Sequence, residues 1–459
     1  MGFDPIRAET RFGFGLSPRI APPTGIEEML DGVRVRDEMA RRFPIEPFDE
    51  FRARIAERAI SRKASRSEDM SEDARAAAKA RQKAISRKAY RDGLGWMRQA
   101  MLRRIETRTG FRERLAAFWG DHFTAYGKGA VIRAGTGPYL EEAVRPNLAG
   151  RFEDLLIAAV THPLMLNFLN QDRSIGPNSV QGRNKPGRGL NENLAREVLE
   201  LHTLGVDGPY TQGDVRQLAE LFTGLDWTPQ RGALFRKKAV EPGPETVLGK
   251  LYGGAPRIAP VLEVLRDLAR HPATARHIAW KLAVHFVADQ PENDLVAAME
   301  ARFLETGGDL PAVYEAMLRH PAAWAGPGNI KRPIAFVASS LRALDAAPAV
   351  LSPWGYKEIN QNLRRPLMRM GQPWERPIGP DGWAEEDSAW TTPQGMAGRL
   401  QWALSLPELL GQAGPDPREF VEVALGPGAP ESVRFAARAA ESRREGVALV
   451  LMAPAFQRY

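Results

Sequence analysis

The sequence predicts a mainly α-helical protein, a multi-helix array with a small β-hairpin or sheet near 226–251 and a long ordered loop near 371–395. Most of the chain consists of segments in which apolar residues recur at helical spacing. The 42 glycines and 36 prolines divide these segments into many short connected elements. Strand signals are confined to one region. We divide the single domain, 1–459, into a basic helical arm at 50–93, a central helical core at 94–225, a β element at 226–255 and a helical part at 256–459.

The arm at 50–93 is rich in Ala, Arg and Lys, which favour helices, and it contains no proline. Ser71, followed by Glu72 and Asp73, predicts an N-cap that separates two helices joined near 65–70. Between Glu50 and Leu115 there are 19 Lys and Arg against 9 Asp and Glu, so this segment makes the chain basic, with a net charge of +7.

The central core contains the stretch GLNENLAREVLELHTLGVDGPYTQGDV, residues 189–215. On a helical wheel its Leu and Val residues form a broad apolar stripe, which predicts a largely buried helix. Arg196 and Thr203 fall on the opposite, polar side. Gly205 is expected to end this helix, and Thr211 with Asp214 predicts a capping box for a next helix at 215–223.

Two features of the remaining chain carry local signals. The loop near 371–395 contains Trp374, Trp383 and Trp390, which predict order, and long ordered loops are commonly functional. A recurring His-Pro pair follows apolar residues at three places, and proline is favoured at the first position of a helix. We therefore expect helix starts at His162, His271 and His320.

Glu197 is the main candidate for a functional residue. On the helical wheel it projects between Leu201 and Leu204, inside the apolar stripe. A buried carboxylate is costly unless it is paired, protonated or bound to a metal. One explanation is structural, with an Arg or Lys of another helix or a set of loop amides as the partner. The other is functional, with Glu197 as a general base or metal ligand.

Further polar side chains are candidates to meet this helix. In FWGDHF, residues 118–123, Asp121 and His122 lie among aromatic residues, where a carboxylate and an imidazole can act as acid and base or bind a metal. Adjacent residues on a helix point to different neighbours. We assign Glu197, His122 and Asp121 as candidate catalytic residues. The candidate substrate contacts are Asn191, Asn193, His202, Asn170 and Asp172.

Three functional hypotheses follow. The first is an enzyme with a buried carboxylate, imidazole and amide centre, in which a divalent metal ion is a candidate cofactor for hydrolysis. The second is a scaffold or assembly protein whose polar residues form a structural network. The third is binding of a polyanion through the arm. Because the arm has no aromatic residue between 52 and 88, the pattern argues against base stacking and hence against nucleic acid.

Several classes lack their signatures. The sequence contains no P-loop, zincin or nucleophile-elbow motif, and no cysteine. No segment approaches the roughly 18 consecutive apolar residues of a membrane span. The N-terminal residues show no apolar signal segment, so the cytoplasm is the default expectation for location.

A set of motifs distributed over nearly the whole chain resembles the bacterial family called domain of unknown function 1800. These motifs are RFGFG, FWGDHF, the stretch at 189–215, HPATARHIAWKLAVHFV, the MGQPW to GW loop and LMAPAFQRY. The resemblance implies no established reaction. It implies a sulfatase-like companion protein, encoded nearby, as a candidate partner, and export as an alternative to the cytoplasm.

The chain departs from the family pattern at two positions. Asp121 stands where the family usually has Asn, and Val240 stands where it tends to have a His before a Glu-x-Gly segment. If that His is a ligand or base in relatives, the resemblance implies altered activity in this chain.

Overall fold

The computed structural model describes residues 2–184, 189–346, 348–411 and 414–459. Helices dominate it, as the sequence predicts. The helices of the first part are α1 (Pro5–Arg11), α2 (Ile26–Arg34), α3 (Glu38–Arg42), α4 (Phe48–Ala64), α5 (Glu72–Glu106), α6 (Gly110–His122), α7 (Thr136–Tyr139), α8 (Phe152–Val160) and α9 (Pro163–Phe168). The middle part contains α10 (Val180–Arg183), α11 (Asn193–Glu197), α12 (Gln212–Leu221), α13 (Ala259–Ala269), α14 (Pro272–Phe286), α15 (Asn293–Thr306) and α16 (Leu310–Arg319).

The last part is also helical. It contains α17 (Pro333–Ala343), α18 (Pro348–Leu351), α19 (Tyr356–Ile359), α20 (Arg365–Arg369), α21 (Asp387–Trp390), α22 (Pro393–Leu409), α23 (Pro417–Leu425), α24 (Glu431–Ala439), α25 (Arg443–Met452) and α26 (Pro454–Gln457). π-Helical turns extend α7, α11 and α19 at Leu140–Val144, Val198–His202 and Asn360–Arg364. Short 3₁₀ turns lie at Ile132–Ala134, Arg145–Asn147, Gln171–Arg173, Lys237–Ala239 and Pro321–Trp324.

The β structure lies where it was predicted. Strand β1 (Leu225–Thr228) pairs antiparallel with β2 (Gly232–Phe235), and β3 (Pro244–Val247) pairs antiparallel with β4 (Lys250–Gly253). These are two separate two-stranded hairpins rather than one. In the part of the chain that the structure describes, no helix combines the length and the apolar character needed to cross a membrane.

The helix α5 connects two hydrophobic cores. Its N-terminal half contributes Ile85 and Ala89 to a core formed with helices of the first and middle parts. Its C-terminal half contributes Leu94, Met97 and Met101 to a second core formed mainly with α17 and the helices that follow it. As expected, the Ser71 side chain caps α5 by accepting the amide of Ala74, at 3.3 Å. The basic arm and the core thus share one continuous helix of 35 residues.

The predicted helix starts at His-Pro are confirmed. His162 and His271 are the N-caps of α9 and α14, and His320 is the N-cap of the 3₁₀ turn Pro321–Trp324. In each case the Nδ1 atom accepts a hydrogen bond from the backbone amide two residues later, at 3.0, 3.1 and 3.3 Å. Their role is therefore capping.

One helical-wheel prediction is wrong. Thr203 was placed on the polar side of its helix, yet it is fully buried. The π-helical turn Val198–His202 adds a residue per turn and rotates the following side chains. Accordingly, the amide of Leu204 donates to the carbonyl of Leu199, five residues earlier, at 3.0 Å. The Thr203 hydroxyl donates to the carbonyl of Val198 at 2.6 Å.

The capping box of α12 is present as predicted, with Thr211 accepting the amide of Asp214 and Asp214 accepting the amide of Thr211. Replacing Thr211 by alanine should lower the free energy of unfolding by about 1 kcal/mol, because an amide at the helix start loses its acceptor. Urea unfolding measures this loss. Thr211→Ser keeps the hydroxyl and should remain near the wild type; an equal loss in both variants would contradict capping as the cause.

Candidate functional site

A cavity of about 150 Å³ lies among α5, α6 and the loop that follows α20. Its wall is mostly apolar, with Phe14, Leu140 and Trp374 among the lining residues. A volume of this size is enough for a molecule such as benzene. The polar side chains in the wall include Arg104, Arg114, Asp121, Arg332 and Glu375.

One wall of the cavity carries a chain of ionic contacts. Arg332 Nη1 donates to Asp121 Oδ2 at 2.6 Å, and Arg332 Nη2 lies 2.7 Å from Glu385 Oε2. His285 Nδ1 lies 3.1 Å from both oxygens of Glu385. Arg332 thus joins two mostly buried carboxylates, one from α6 and one from the Trp-rich loop, which is the segment near 371–395 that contains Trp374, Trp383 and Trp390.

The two carboxylates on Arg332 differ in their proton affinity. Burial raises the pKa of Asp121, and the nearby Arg332 guanidinium offsets only part of this rise. Burial also acts on Glu385, but Arg332 and His285 outweigh it and hold its pKa well below the usual range. Burial lowers the pKa of His285 to about 4, so at neutral pH His285 donates its Nδ1 proton to Glu385 as a neutral imidazole.

The Trp-rich loop closes over the end of α6 through backbone contacts. The amide of Trp383 donates to Asp121 Oδ1 at 2.9 Å. Gly382 has a φ of +85°, and a Cβ atom there would lie 2.6 Å from Asp121 Oδ1. A side chain at this position would therefore displace the carboxylate, and glycine permits both the backbone conformation and the close approach.

Glu375 is the carboxylate of the cavity that lacks an ion pair among the described residues. The other cavity glutamates have one, since Glu113 pairs with Arg145 at 2.6 Å and Glu141 pairs with Arg103. Burial raises the pKa of Glu375 to about 7, although the charges of Arg376 and Arg104 lower it in part. Glu375 also has a φ of +52°, a conformation that costs a non-glycine residue energy and that clusters at functional sites.

Arg114 on α6 is fully buried in the cavity wall. Its guanidinium lies 3.6 Å above the centre of the Tyr459 ring. Its three nitrogens are shielded from solvent, burial lowers the pKa of Arg114, and Tyr459 and Glu385 offset part of this effect. Arg104, half-buried on α5, donates to the carbonyl of Ala100 at 2.7 Å and lies over the rings of Phe14 and Trp374.

His122, predicted as catalytic, faces away from Asp121, as expected for neighbours on a helix. Its Nε2 lies 3.3 Å from the carbonyl of His202, and His277 Nε2 lies 3.1 Å from the carbonyl of Leu201. Both imidazoles thus contact carbonyls at the end of the π-helical turn after α11. Burial and the charge of Lys281 lower the pKa of His122, and lower the pKa of His202 to about 3, so these rings are neutral at physiological pH.

Glu197 is half-buried and does not line the cavity. Burial, Glu200 and Asp381 raise the pKa of Glu197 to about 7. It forms no ion pair and no side-chain hydrogen bond with any residue that the structure describes. No hydrogen bond joins Glu197 to His122 or Asp121 within this part of the chain. Lys281, whose charge acts on the three imidazoles, also lies near Asp121 and Asp381.

The predicted substrate contacts are held in the fold in different ways. Asn191 Nδ2 donates to the carbonyls of Leu169 and Asn170 at 3.1 and 3.0 Å. Asn170 adopts the left-handed conformation, with a φ of 56°. Asn193 is exposed, and Asp172 Oδ1 is buried without a partner among the described residues. In the same ranges, no group of three or more His, Asp or Glu side chains is arranged to hold a metal ion.

Residues 7–458 match the family described as Protein of unknown function (DUF1800). The chain belongs to this family. Searches of curated proteins and of solved structures return no match. The DUF1800 match covers the cavity, the Trp-rich loop and the helix of Glu197, so all three belong to the family domain. Val240 lines a separate cavity together with Glu241 and Glu245.

The sequence pointed to Asp121 and to the Trp-rich loop but missed their partners in this family domain. Arg332, Glu385 and His285 meet Asp121 only through the fold, at separations of more than 160 residues. A local signal existed for two others. Arg114 directly precedes an apolar run of α6, Leu115–Trp119, whose positions are almost all buried, and Glu375 lies directly after Trp374 in the loop.

Proposed function

We propose that this chain is an enzyme that uses Glu375 as a general acid and base on a small molecule bound in the cavity. The observation that carries the proposal is the position of Glu375 in the cavity wall without an ion pair among the described residues. Burial there raises its pKa to about 7, and Arg376, Arg104 and the amide of Gly137 offset only part of this rise. A general acid–base group works best when its pKa lies near the operating pH. The arginine-bound Glu113 has a lowered pKa and stays charged at neutral pH, so it is less suited to exchange a proton than Glu375.

Asp121 belongs to the same proposal. It is the predicted catalytic residue that lines the cavity, and Arg332 and the amide of Trp383 hold both of its oxygens in place. Its role in the proposal is to orient the substrate beside Glu375. The backbone strain at Glu375 supports the role of Glu375 itself, because surrounding residues must hold a non-glycine residue at positive φ.

Replacing Glu375 by glutamine should lower kcat by about 10²- to 10⁴-fold, because the side chain keeps its shape but can no longer exchange a proton. The measurement is turnover of a panel of small esters, amides and hydroxy acids, with kcat/KM followed from pH 5 to 9. Wild-type rates should change with a midpoint near pH 7. Glu358→Gln, an exposed position on α19, is the control. Equal rates in the wild type and Glu375→Gln would contradict the proposal.

A second test needs no substrate. Diazo compounds esterify protonated carboxyl groups, so at pH 7 they should label Glu375 and leave the arginine-bound Glu113 of the same cavity unlabelled. Mass spectrometry of the digested protein measures both sites. Equal labelling of the two residues, or labelling of Glu113 alone, would remove the basis for Glu375 as the acid–base group.

A second candidate centre is Glu197, whose pKa is also about 7. The predicted roles of Glu197 and His122 as catalytic residues, with His202, Asn191, Asn193, Asn170 and Asp172 as substrate contacts, stay proposals. The stability of Glu197→Gln, described in the Discussion, tests the first of them.

Three further predictions from the sequence stay proposals. If neither turnover nor Glu375 labelling is found, the scaffold hypothesis is favoured.

Polyanion binding would use the open groove on the arm that Arg58, Arg62, Lys63 and Arg66 line, and the affinity would have to fall steeply as the salt concentration rises. The sulfatase-like companion should co-purify with the chain if it is a partner, and cell fractionation tests the cytoplasmic location.

A further inference from the structure

His285 has one ring nitrogen that the fold holds and one that it leaves free. Its Nδ1 atom lies 3.1 Å from both oxygens of Glu385, a carboxylate whose lowered pKa keeps it charged at neutral pH. A charged carboxylate only accepts hydrogen bonds, so the proton of the neutral imidazole lies on Nδ1 and Nε2 has a free lone pair. Nε2 has no hydrogen-bond partner in the described part of the chain.

A small molecule can reach this free nitrogen. His285 lines the cavity, and its side chain is 6% exposed. Ring nitrogens of His122, His162 and His202 also lack a partner among the described residues, but these atoms are shielded from water. Nε2 of His285 is not shielded in this way. Because Glu385 covers the Nδ1 side of the ring, the geometry favours access to Nε2 from the cavity.

The other hydrogen-bond acceptors in the cavity wall are largely occupied. Asp121 and Glu113 are bound by arginines, each at 2.6 Å. The side-chain oxygen of Gln372 accepts the amide of Ile334 at 2.8 Å. Nε2 of His285 is therefore an acceptor for a ligand, and a purely apolar ligand that fills the cavity would leave it unpaired at a cost in affinity.

We propose that the cavity binds a compact, uncharged molecule whose hydroxyl group donates a hydrogen bond to Nε2 of His285. This inference rests on the proposed function, because it names the substrate class of the same cavity. The mostly apolar wall and the volume of about 150 Å³ suit a small apolar body attached to one polar group.

The charges of the wall favour an uncharged donor. Five arginines and four carboxyl groups line the cavity, so the wall offers no excess of negative charge to an ammonium group. A carboxylate ligand has no proton to donate to Nε2. A hydroxyl group is a donor without charge, and it therefore matches a neutral imidazole nitrogen.

The first test compares phenol with toluene, which has nearly the same shape but no hydroxyl group, and with benzoate, which is charged. Isothermal titration calorimetry of the whole chain at pH 7 should show tighter binding of phenol than of either other probe. Isotope-labelled histidine gives a direct readout, because the NMR signal of an unprotonated ring nitrogen moves when that nitrogen accepts a hydrogen bond. Saturating phenol should move the Nε2 signal of His285, and toluene should not.

A matched pair of variants tests the role of Nε2. His285→Asn removes Nε2 but keeps an N–H group near the position of Nδ1, so Glu385 retains a donor and the chain should fold. This variant should bind phenol about 10- to 100-fold more weakly, because one hydrogen bond is lost, and toluene no more weakly than the wild type. His271→Asn is the control, since asparagine also caps helices and His271 does not line the cavity. It should bind phenol as the wild type does.

The absence of phenol binding, an unmoved Nε2 signal at saturating phenol, or unchanged phenol affinity in His285→Asn would each overturn the inference. Tighter binding of benzoate than of phenol would overturn it in favour of an anionic ligand. The diazo labelling of Glu375 needs no ligand, so the two proposals can fail separately. Contact of phenol with Nε2 in a chain whose Glu375 stays unlabelled would uphold the hydroxyl site and contradict the acid–base role of Glu375. Labelling of Glu375 with an unmoved Nε2 signal would do the reverse.

Discussion

Replacing Arg332 by methionine is expected to lower the free energy of unfolding by about 3–5 kcal/mol at pH 7. Arg332 is the shared partner of Asp121 and Glu385, at 2.6 and 2.7 Å. Its removal would leave two mostly buried carboxylates close to each other without that cation. Methionine keeps much of the apolar stem, so the loss reports the ionic contacts rather than a cavity. Urea unfolding at pH 7 measures it.

The dependence on pH provides a check with a definite sign. In the wild type, the depressed pKa of Glu385 contributes stability that is present above the unfolded pKa of about 4.5 and is lost as the pH falls through the folded pKa. In Arg332→Met both carboxylates should take up protons more readily. The difference between wild type and variant should therefore be largest at pH 7 and should shrink toward pH 4.

An exposed ion pair supplies the control. Arg438, exposed on α24, pairs with Glu431, and Arg438→Met should cost no more than about 1 kcal/mol. If Arg332→Met costs as little as Arg438→Met, Asp121 and Glu385 are neutralised by another group. Lys281 is the nearby candidate, because its charge interacts with both carboxylates.

The elements that the sequence predicted correctly are those defined by local chemistry. The Ser71 cap, the Thr211–Asp214 capping box and the three His-Pro helix starts each depend on atoms within a few residues of one another. The π-helical turn after Glu197 could not be predicted in this way, because the helical preferences of its residues do not distinguish a π turn from an α turn. That turn explains why the helical wheel misplaced Thr203.

In the candidate site too, local features could be predicted from the sequence, whereas contacts between distant segments could not. The motif FWGDHF predicts that Asp121 lies among aromatic residues. Its partner Arg332, however, lies 211 residues away along the chain. The protonation of Glu375 depends on Arg376, Arg104 and the surrounding wall, which no local pattern reports. The sequence suggested chemistry for His122 because an imidazole beside a carboxylate is a common catalytic pair. In the fold the two side chains point in different directions, and His122 contacts a backbone carbonyl.

Glu197→Gln is expected to increase the free energy of unfolding at pH 8 by about 1–2 kcal/mol. This gain is smaller than the full equivalent of the pKa shift, because Glu197 is half-buried and solvent screens its charge. The pKa of Glu197 rises from 4.5 to about 7 on folding. A raised carboxylate pKa means that the folded chain binds more protons than the unfolded chain between these values, so stability falls as the pH increases. The gain in Glu197→Gln should therefore be complete above about pH 7 and absent below about pH 4.5.

Unfolding of wild type and Glu197→Gln across pH 4 to 9, each with and without a chelator, separates the two explanations of this residue. Glu192→Gln affects a partly exposed pair with Arg196 at 3.4 Å and a hydrogen bond from Gln212, and it should change stability by no more than about 0.5 kcal/mol at any pH. A loss of about 3–5 kcal/mol in Glu197→Gln would mean that Glu197 neutralises a buried cation and is structural. A gain would mean that the fold retains a carboxylate at a cost to its own stability, as expected of a functional group. If the chelator lowers the free energy of unfolding of the wild type but leaves that of Glu197→Gln unchanged, Glu197 is a metal ligand.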